Sequence, residues 1–429
     1  MNLDTSKRRR VVILGPASEL HTGVHGALVR TPVTETDYYL PPHYHNFLAP
    51  TLPKGEEFNP YIHFSISEAI VYSVPETNVD WILHSSRLPP QLHALKHPWL
   101  ADMDCLLATL TCGTAYALGH DGIVPAELSS LRQKYMLSHF LDVNCSSLLF
   151  RSEFKRSEFL SFVKERALAE TIELEQLEEK SLVMRPTLPS IDLDNTPTRV
   201  PHIIFMGRTL EGKGGDVAAM VYRHLDVIYS SRIVLTWVGP VSINVSLPKS
   251  TRVYPVLHQE DYWKQLQQAN VFFSPTEFEG YGIGMIEAAR FGLAIVTSRG
   301  PGMEHIEEVF ESGKNALFAS SRGSLVQRSF DFEQCIRQLI DMPDLLTRIS
   351  NNNLALFNGG PLDITLRDEI LIEQYDKLEI GELSSSTIPK PNIPRLSHGI
   401  GFTNYLISAE TLKRRQQELH SDKRVVVQA

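Results

Sequence analysis

Cysteine is scarce, with four in 429 residues, at Cys105, Cys112, Cys145 and Cys335. None forms a C-x-x-C pair, so neither a disulfide framework nor a cysteine-rich zinc site is on offer, and a thiol within an apolar run acts as a small hydrophobe. Free thiols in a reducing compartment are expected, and with them a cytoplasmic location. Long apolar runs are missing too. The best candidates, such as the stretch from Asp104 to Ala117, are broken by Thr, Cys and Gly and fall short of the roughly 18 to 20 apolar residues of a membrane-crossing helix. An excess of positive charge is also absent. Against 50 acidic residues stand 41 basic ones, a formal charge of −9, which argues against a protein that holds nucleic acid through its phosphates. The basic run Lys7-Arg8-Arg9-Arg10 leads into a short strand-like run, Val11 to Gly15, and not into a signal-peptide core. It reads as solvated charge, with weak attraction to an anionic membrane surface as its other use.

What is present is enough apolar material, 42% of residues, for two or three cores of ordinary domain size. Short β-branched runs at 11–14, 81–84, 105–108 and 147–150 alternate with segments of helical period such as 126–141 and 153–164. That alternation predicts an α/β domain with a largely parallel sheet. A second series of strands is predicted at 202–206, 232–238, 252–256, 270–274, 293–297 and 316–318. Between the two series, residues 186–201 carry four prolines, which disfavour helix and interior strand alike, so the linker is placed there. The expected organisation is an N-terminal domain over 1–185, the linker, a second domain over 202–360, a helix over 361–380 and an appended tail over 381–429.

The most informative stretch runs from Ser274 to Gly292, after a strand and into a helix. Gly280, Gly282 and Gly284 free the backbone for close approach, and the helix start offers unpaired N–H groups to an anion such as a diphosphate. Glu279 stands before the helix and Glu287 lies eight residues on, about two turns in, so both carboxylates can face one cleft at different depths. Carboxylates accept hydroxyl hydrogen bonds, so one suits sugar hydroxyls and the other a ribose. A second constellation, Gly207-Arg208-Thr209-Leu210-Glu211-Gly212-Lys213-Gly214-Gly215, follows the first strand of the second series. Ligands of open α/β sheets bind beyond strand carboxyl ends, and Arg208 with Lys213 supplies two cations for a phosphate pair. A third loop, Ser298 to Ile306, again follows a strand and would line the same rim.

In this order and spacing, the three fragments resemble the C-terminal domain of retaining GT-B glycosyltransferases of family four, over roughly residues 200 to 380. Glu279 and Glu287 match that family's Glu-x7-Glu motif. The resemblance implies two Rossmann-like domains facing a central cleft, and transfer of a sugar from a nucleotide-diphosphate sugar to an acceptor hydroxyl with retention. It implies no metal and no cofactor beyond the nucleotide-sugar substrate. Arg208 and Lys213 would neutralise the diphosphate beside Gly207. The amides from Gly280 through Tyr281 and Gly282 to Ile283 would complete the cradle, while Glu287 would hold the ribose and Glu279 the transferred sugar. The helix over 361–380 would pack back towards the N-terminal domain.

The N-terminal half carries less of the pattern. Relatives have adjacent glycines in the loop after the first strand, whereas here Gly23, on the acceptor side, is split from Gly26. His84, at the end of the run 80–84, resembles the family's histidine near the reacting sugar; a buried structural histidine is the competing reading. Glu277 and Glu304 read as helix-start or rim charges. Asp102-Met103-Asp104 and Asp192-Leu193-Asp194 spell the D-x-D of metal-dependent transferases, but one precedes an expected strand and the other lies in the linker, so both read as coincidence. His43-Tyr44-His45 lacks further zinc ligands nearby and reads as a polar loop. Other uses of the architecture stay open: a sugar-nucleotide epimerase, a phosphorylase, or a non-catalytic nucleotide-sugar-binding protein.

Overall fold

The computed structural model describes residues 8–14, 25–39, 43–44, 71–72, 82–85, 98–103, 133, 137–191, 200–207, 212–242, 245–277 and 279–379. Six strands of the first half form one parallel sheet. They are β1 (Arg9–Leu14), β2 (Thr36–Tyr39), β5 (Ile82–Ser85), β6 (Trp99–Met103), β7 (Cys145–Phe150) and β8 (Ser181–Val183), in the spatial order β2-β1-β5-β6-β7-β8. Two further short strands, β3 (His43–Tyr44) and β4 (Val71–Tyr72), pair antiparallel apart from it. Tyr44, expected in a polar loop, is therefore ladder-bonded, and His45 lies outside the described residues.

Side chains along this sheet alternate between two buried faces, as a period of two requires. Val12, Leu83, Ala101, Leu148 and Phe150 turn to one face, with Phe159, Val163 and Leu177 of helices α2 (Glu153–Glu165) and α3 (Thr171–Lys180). Val11, Ile13, Ile82, Leu100 and Leu149 turn to the other, which also receives Leu28 of α1 (His25–Arg30).

The second sheet comprises β9 (His202–Met206), β10 (Val234–Val238), β11 (Arg252–Tyr254), β12 (Val271–Ser274), β13 (Ala294–Arg299) and β14 (Ala316–Ser320). All its pairings are parallel, in the order β11-β10-β9-β12-β13-β14. The chain starts in the middle, builds outward one way and then crosses back to build the other, so the order reverses between β9 and β12. One face is covered by α4 (Gly215–Tyr229), with α7 (Leu325–Asp341) and α8 (Pro343–Ala355). The opposite face is covered by α5 (Gln259–Gln268) and α6 (Ile283–Arg290).

A last helix, α9 (Ile364–Glu379), leaves the second domain and seats Leu371, Tyr375 and Leu378 in the core of the first. Arg9 Nε donates to Asp376 at 2.6 Å and Arg367 Nη2 donates to the Thr31 carbonyl at 2.9 Å, which fixes the helix along the first sheet. Among the described residues no helix is long and apolar enough to cross a membrane.

Strands of the second series lie within two residues of their expected ends. In the first series one expectation fails. The strand anticipated at 105–108, a segment outside the described residues, is instead observed at Trp99–Met103. Its sequence, Trp-Leu-Ala-Asp-Met, hides an interior strand because an aspartate interrupts it. Asp102 is tolerated there, fully buried, because Arg151 and His84 both pair with it. It belongs to the strand and does not precede one. Cys145 is a buried free thiol, pushed up to about 12 by burial, and Cys335 is a half-buried one.

Candidate active site

The reversal point of the second sheet brings two loops together. Because β9 and β12 are parallel neighbours, the segments that follow them emerge on the same rim. They are stitched there: Thr276 Oγ1 donates to the Gly212 carbonyl at 3.0 Å, and the Glu277 amide donates to the same oxygen at 3.0 Å. Gly214, with φ +66°, caps the start of α4 so tightly that a Cβ would lie 2.1 Å from the Pro275 carbonyl oxygen. Gly282, with φ +67°, caps α6, and a Cβ there would meet Ile306 at 2.7 Å. Both positions demand glycine, the one residue that adopts this conformation without a Cβ penalty. Helix starts α4 and α6 therefore open on one rim, joined by the loop after β13 that carries Ile306.

Lys213 and Glu279 meet at this junction, Nζ donating to Oε2 at 2.7 Å, while the Gly280 amide donates to the other carboxylate oxygen at 3.2 Å. The pair keeps 32% and 20% of its side-chain surface exposed, so solvent and solutes reach it. Tyr281 and Ile283 are buried against each other. Gly207 donates its amide to the Val238 carbonyl at 3.0 Å, and its own carbonyl lies where a Cβ on Gly239 would fall.

Glu287 sits deeper, on α6 and under α5. Gln259 Nε2 and Trp263 Nε1 both donate to its Oε1 at 3.3 Å. Burial raises the Glu287 carboxyl above its ordinary value; those two hydrogen bonds and the charges of Arg30 and Arg290 oppose the rise. The Arg30 and Arg290 guanidinium groups lie 5.7 and 5.3 Å from the Trp263 ring centroid. Arg30 belongs to α1 of the first domain and also donates to Gln259 Oε1 at 3.0 Å, so it reaches the second domain beside Glu287. A second crossing lies at α2, whose first amides, from Glu153 and Phe154, donate to the Glu308 carboxylate at 2.9 and 2.6 Å.

Residues 194–354 match the model of glycosyl transferases group 1. That likeness covers the end of the linker and most of the second domain, less than half of the chain. Among solved structures, OtsA, a trehalose-6-phosphate synthase, is similar with TM-score 0.54 and 14% identity, over 86% of this chain and 99% of that one. The pneumococcal O-GlcNAc transferase GtfA, solved with UDP and GlcNAc, has TM-score 0.52 and 12% identity over 71% of this chain. TarM has TM-score 0.50 and 12% identity, also over 71%. The chain spans little more than half the length of these last two, 58% of GtfA and 55% of TarM. No curated protein sequence matches. The two parallel sheets and these likenesses make the fold GT-B, with two Rossmann-like domains.

In the second domain, Gly207, Lys213, Glu279, Gly280, Tyr281, Gly282 and Ile283 share the rim and Glu287 lies beneath α5. Arg208 and Gly23 lie outside the described residues, as do Asp104 and the Asp192-Leu193-Asp194 run. Glu277 is ion-paired with Arg328, and Glu304 accepts the Gly302 amide at 2.7 Å, so both rim charges have structural partners.

His84 requires a correction. It was expected at a strand end facing the cleft, but it is the third residue of β5 and has no exposed surface. Its Nδ1 lies 3.0 Å from the Tyr375 hydroxyl and its Nε2 3.2 Å from Asp102 Oδ2. The ring thus joins α9 to β6 inside the first domain. Tyr375 in turn lies 3.4 Å from the Tyr38 hydroxyl, and burial pushes Tyr38 up to about 12, so these phenols stay protonated.

Sequence reading missed Arg151. It follows β7 directly, pairs with Asp102 and places its guanidinium 5.6 Å from the Tyr281 ring centroid. Its one local signal is a cation immediately past a strand. Trp263, Gln259 and Arg30 were missed as well, and nothing in their own neighbourhoods marks them.

Proposed function

We propose that the protein transfers a sugar from a nucleotide-diphosphate sugar to an acceptor hydroxyl, with retention and without a metal. The observation that carries this reading is the Lys213–Glu279 pair, partly exposed at the junction of two glycine-capped helix starts. An incoming diphosphate competes for the Lys213 ammonium, and amides at the start of α6 donate hydrogen bonds to its oxygens. Once released, Glu279 can accept hydroxyl hydrogen bonds from the transferred sugar. Both bonds to Glu287 end on Oε1, which leaves Oε2 to a ribose hydroxyl. Arg208 adds the second cation. Donors held in place before charge develops stabilise the leaving diphosphate as the glycosidic bond breaks, the largest usual source of rate enhancement in such reactions. The acceptor hydroxyl attacks from the face the diphosphate leaves and gives its proton to a donor phosphate oxygen, so no protein nucleophile is needed. The cocrystallised UDP and GlcNAc of GtfA belong to the same donor class.

The test is thermal stability against a panel of nucleotide sugars, since a donor at 100 times its dissociation constant adds about 2.7 kcal/mol to the folded state. One donor is expected to stand out, and Lys213→Ala to reduce its effect by about half or more. A flat response across UDP-, GDP-, ADP- and TDP-sugars would sink the reading. Transfer is expected to survive chelator; loss of activity restored by magnesium or manganese would remove the metal-independent part of it.

A further inference from the structure

Past β8 the chain leaves the first sheet at Met184 and approaches the linker, and a small, partly open recess lies there. Its lining includes Arg151 after β7, Arg185 just before the linker and Thr187 within it, Arg367 of α9, and Leu28 of α1. Three arginines around one recess of an acidic protein need an account. Each has one carboxylate partner: Arg151 with Asp102, Arg185 with Glu308 at 3.5 Å, Arg367 with Asp368 at 2.6 Å. Those partners leave part of each guanidinium unused. Arg151 Nε, Arg185 Nε, Arg367 Nη1 and Thr187 Oγ1 are buried and find no hydrogen-bond partner among the described residues. Arg151, Arg367 and Thr187 are each at most 5% exposed, whereas Arg185 is a third exposed and gives access from solvent.

Buried polar atoms in native proteins are satisfied, and an orphaned group points to a missing water or ion. All three guanidinium nitrogens are donors with no acceptor capacity, and the threonine hydroxyl can donate too. A water would have to accept from several of them while placing its own two hydrogens elsewhere. An acceptor-only group with several oxygens suits the set better, and planar guanidinium edges favour phosphate oxygens. The recess also has a position relative to the donor rim. The Arg151 guanidinium is 5.6 Å from the ring of Tyr281, which stands between Gly280 and Gly282. A phosphate held here lies on the first-domain side, across from the transferred sugar.

We propose that this recess binds the phosphate monoester of a phosphorylated acceptor, with Arg151, Arg185, Arg367 and Thr187 as its donors. The acceptor assignment rests on the transfer reaction proposed above; the anion site does not. The full chain would be titrated with inorganic phosphate, a hexose 6-phosphate and the same hexose without phosphate, at constant ionic strength, with binding read by calorimetry and thermal shift. Inorganic phosphate and the hexose phosphate are expected to bind saturably, the hexose phosphate more tightly, and the bare hexose not at all. Arg185→Gln, at a partly exposed position that tolerates substitution, is expected to weaken both phosphates at least tenfold. Thr187→Val, which keeps shape and removes the hydroxyl, should weaken them several-fold. Lys213→Ala removes the phosphate-binding cation of the donor rim, so the losses from Arg185→Gln and Thr187→Val should persist in that background, which separates this recess from the rim. Wild-type affinity in both Arg185→Gln and Thr187→Val, or binding lost only in Lys213→Ala, would overturn the site. Inorganic phosphate binding tighter than the hexose phosphate would overturn the acceptor assignment. Because binding is read without donor or turnover, a failure of glycosyl transfer leaves these results intact and counts against the reaction alone.

Discussion

The two domains hold their charged groups in opposite ways. On the second domain, Lys213 and Glu279 form a pair that solvent reaches, at a junction of loops shaped by glycine. In the first, Asp102 is fully buried and bound on one side by His84 and on the other by Arg151. An exposed pair costs little to separate and can exchange its partner for a ligand. A buried set has given up its hydration and depends on every member staying in place. The same types of charge thus serve exchange on one side of the cleft and architecture on the other.

Removing Asp102 gives the sharpest break in this contrast. Asp102→Ala leaves the Arg151 charge buried without its carboxylate, which costs about 3–5 kcal/mol in comparable buried pairs. Urea unfolding should show that loss. The double variant Asp102→Leu with Arg151→Met is expected to recover much of it, because an apolar pair carries no orphaned charge. A loss below about 1 kcal/mol in the single variant would place the pair with the exposed kind.

A pH titration tests a second buried histidine against the first. His305, near the second-domain rim, is buried without a hydrogen-bond partner for either ring nitrogen among the described residues. Burial, with the nearby Lys155 charge, lowers it from 6.5 to about 4. Below 6.5 the unfolded chain takes up a proton that the folded chain refuses until about pH 4. Stability therefore falls as pH drops through that window and is fully present above it. The loss is on the order of 3 kcal/mol between pH 7 and pH 4, at 1.36 kcal/mol for each unit of difference. His305→Leu should flatten that part of the stability–pH curve; an unchanged slope would assign it to other groups.

On the exchangeable side, Lys213→Ala separates ligand energy from fold energy. A hydrogen bond to a charged group contributes about 1.5–3 kcal/mol, so donor affinity should fall roughly 10- to 100-fold. Stability should change by about 1 kcal/mol or less, because the pair is partly exposed. Calorimetry of the donor beside denaturant unfolding of the free protein gives both numbers. A large stability loss with unchanged affinity would reverse the comparison.

The contrast also explains what the sequence could reveal. The rim is written locally: Glu279, Gly280, Gly282 and Glu287 lie within nine residues, and strand, loop and helix follow one another in the chain. The alternating strands made the fold class legible for the same reason. The first-domain network is assembled from β5, β6, the end of β7 and α9, and no local spacing joins His84 to Tyr375, 291 residues away. Asp102 even disguised its own strand, since a carboxylate inside an apolar run looks like an interruption until Arg151 appears beside it. Trp263 and Gln259 reach Glu287 only once α5 packs beside α6, and Arg30 joins them only after α1 has been placed against the second domain.

Tyr375→Phe is the smallest and most local test, because it removes one oxygen and keeps the ring. The hydroxyl lies within 3.0 Å of His84 Nδ1 and 3.4 Å of the Tyr38 hydroxyl, at the contact between α9 and the first sheet. Without it a buried imidazole nitrogen loses its partner, and a net hydrogen bond of this kind contributes about 0.5–1.5 kcal/mol. The aromatic packing in the core with Leu371 and Leu378 is retained, so the fold should survive with a loss of about 1 kcal/mol. Hydrogen exchange should report faster opening in α9 and the first sheet, while amides of β9 and β12 keep their protection. Equal loosening of the second sheet would mean that α9 ties the domains together through this hydroxyl, instead of serving the first domain's core.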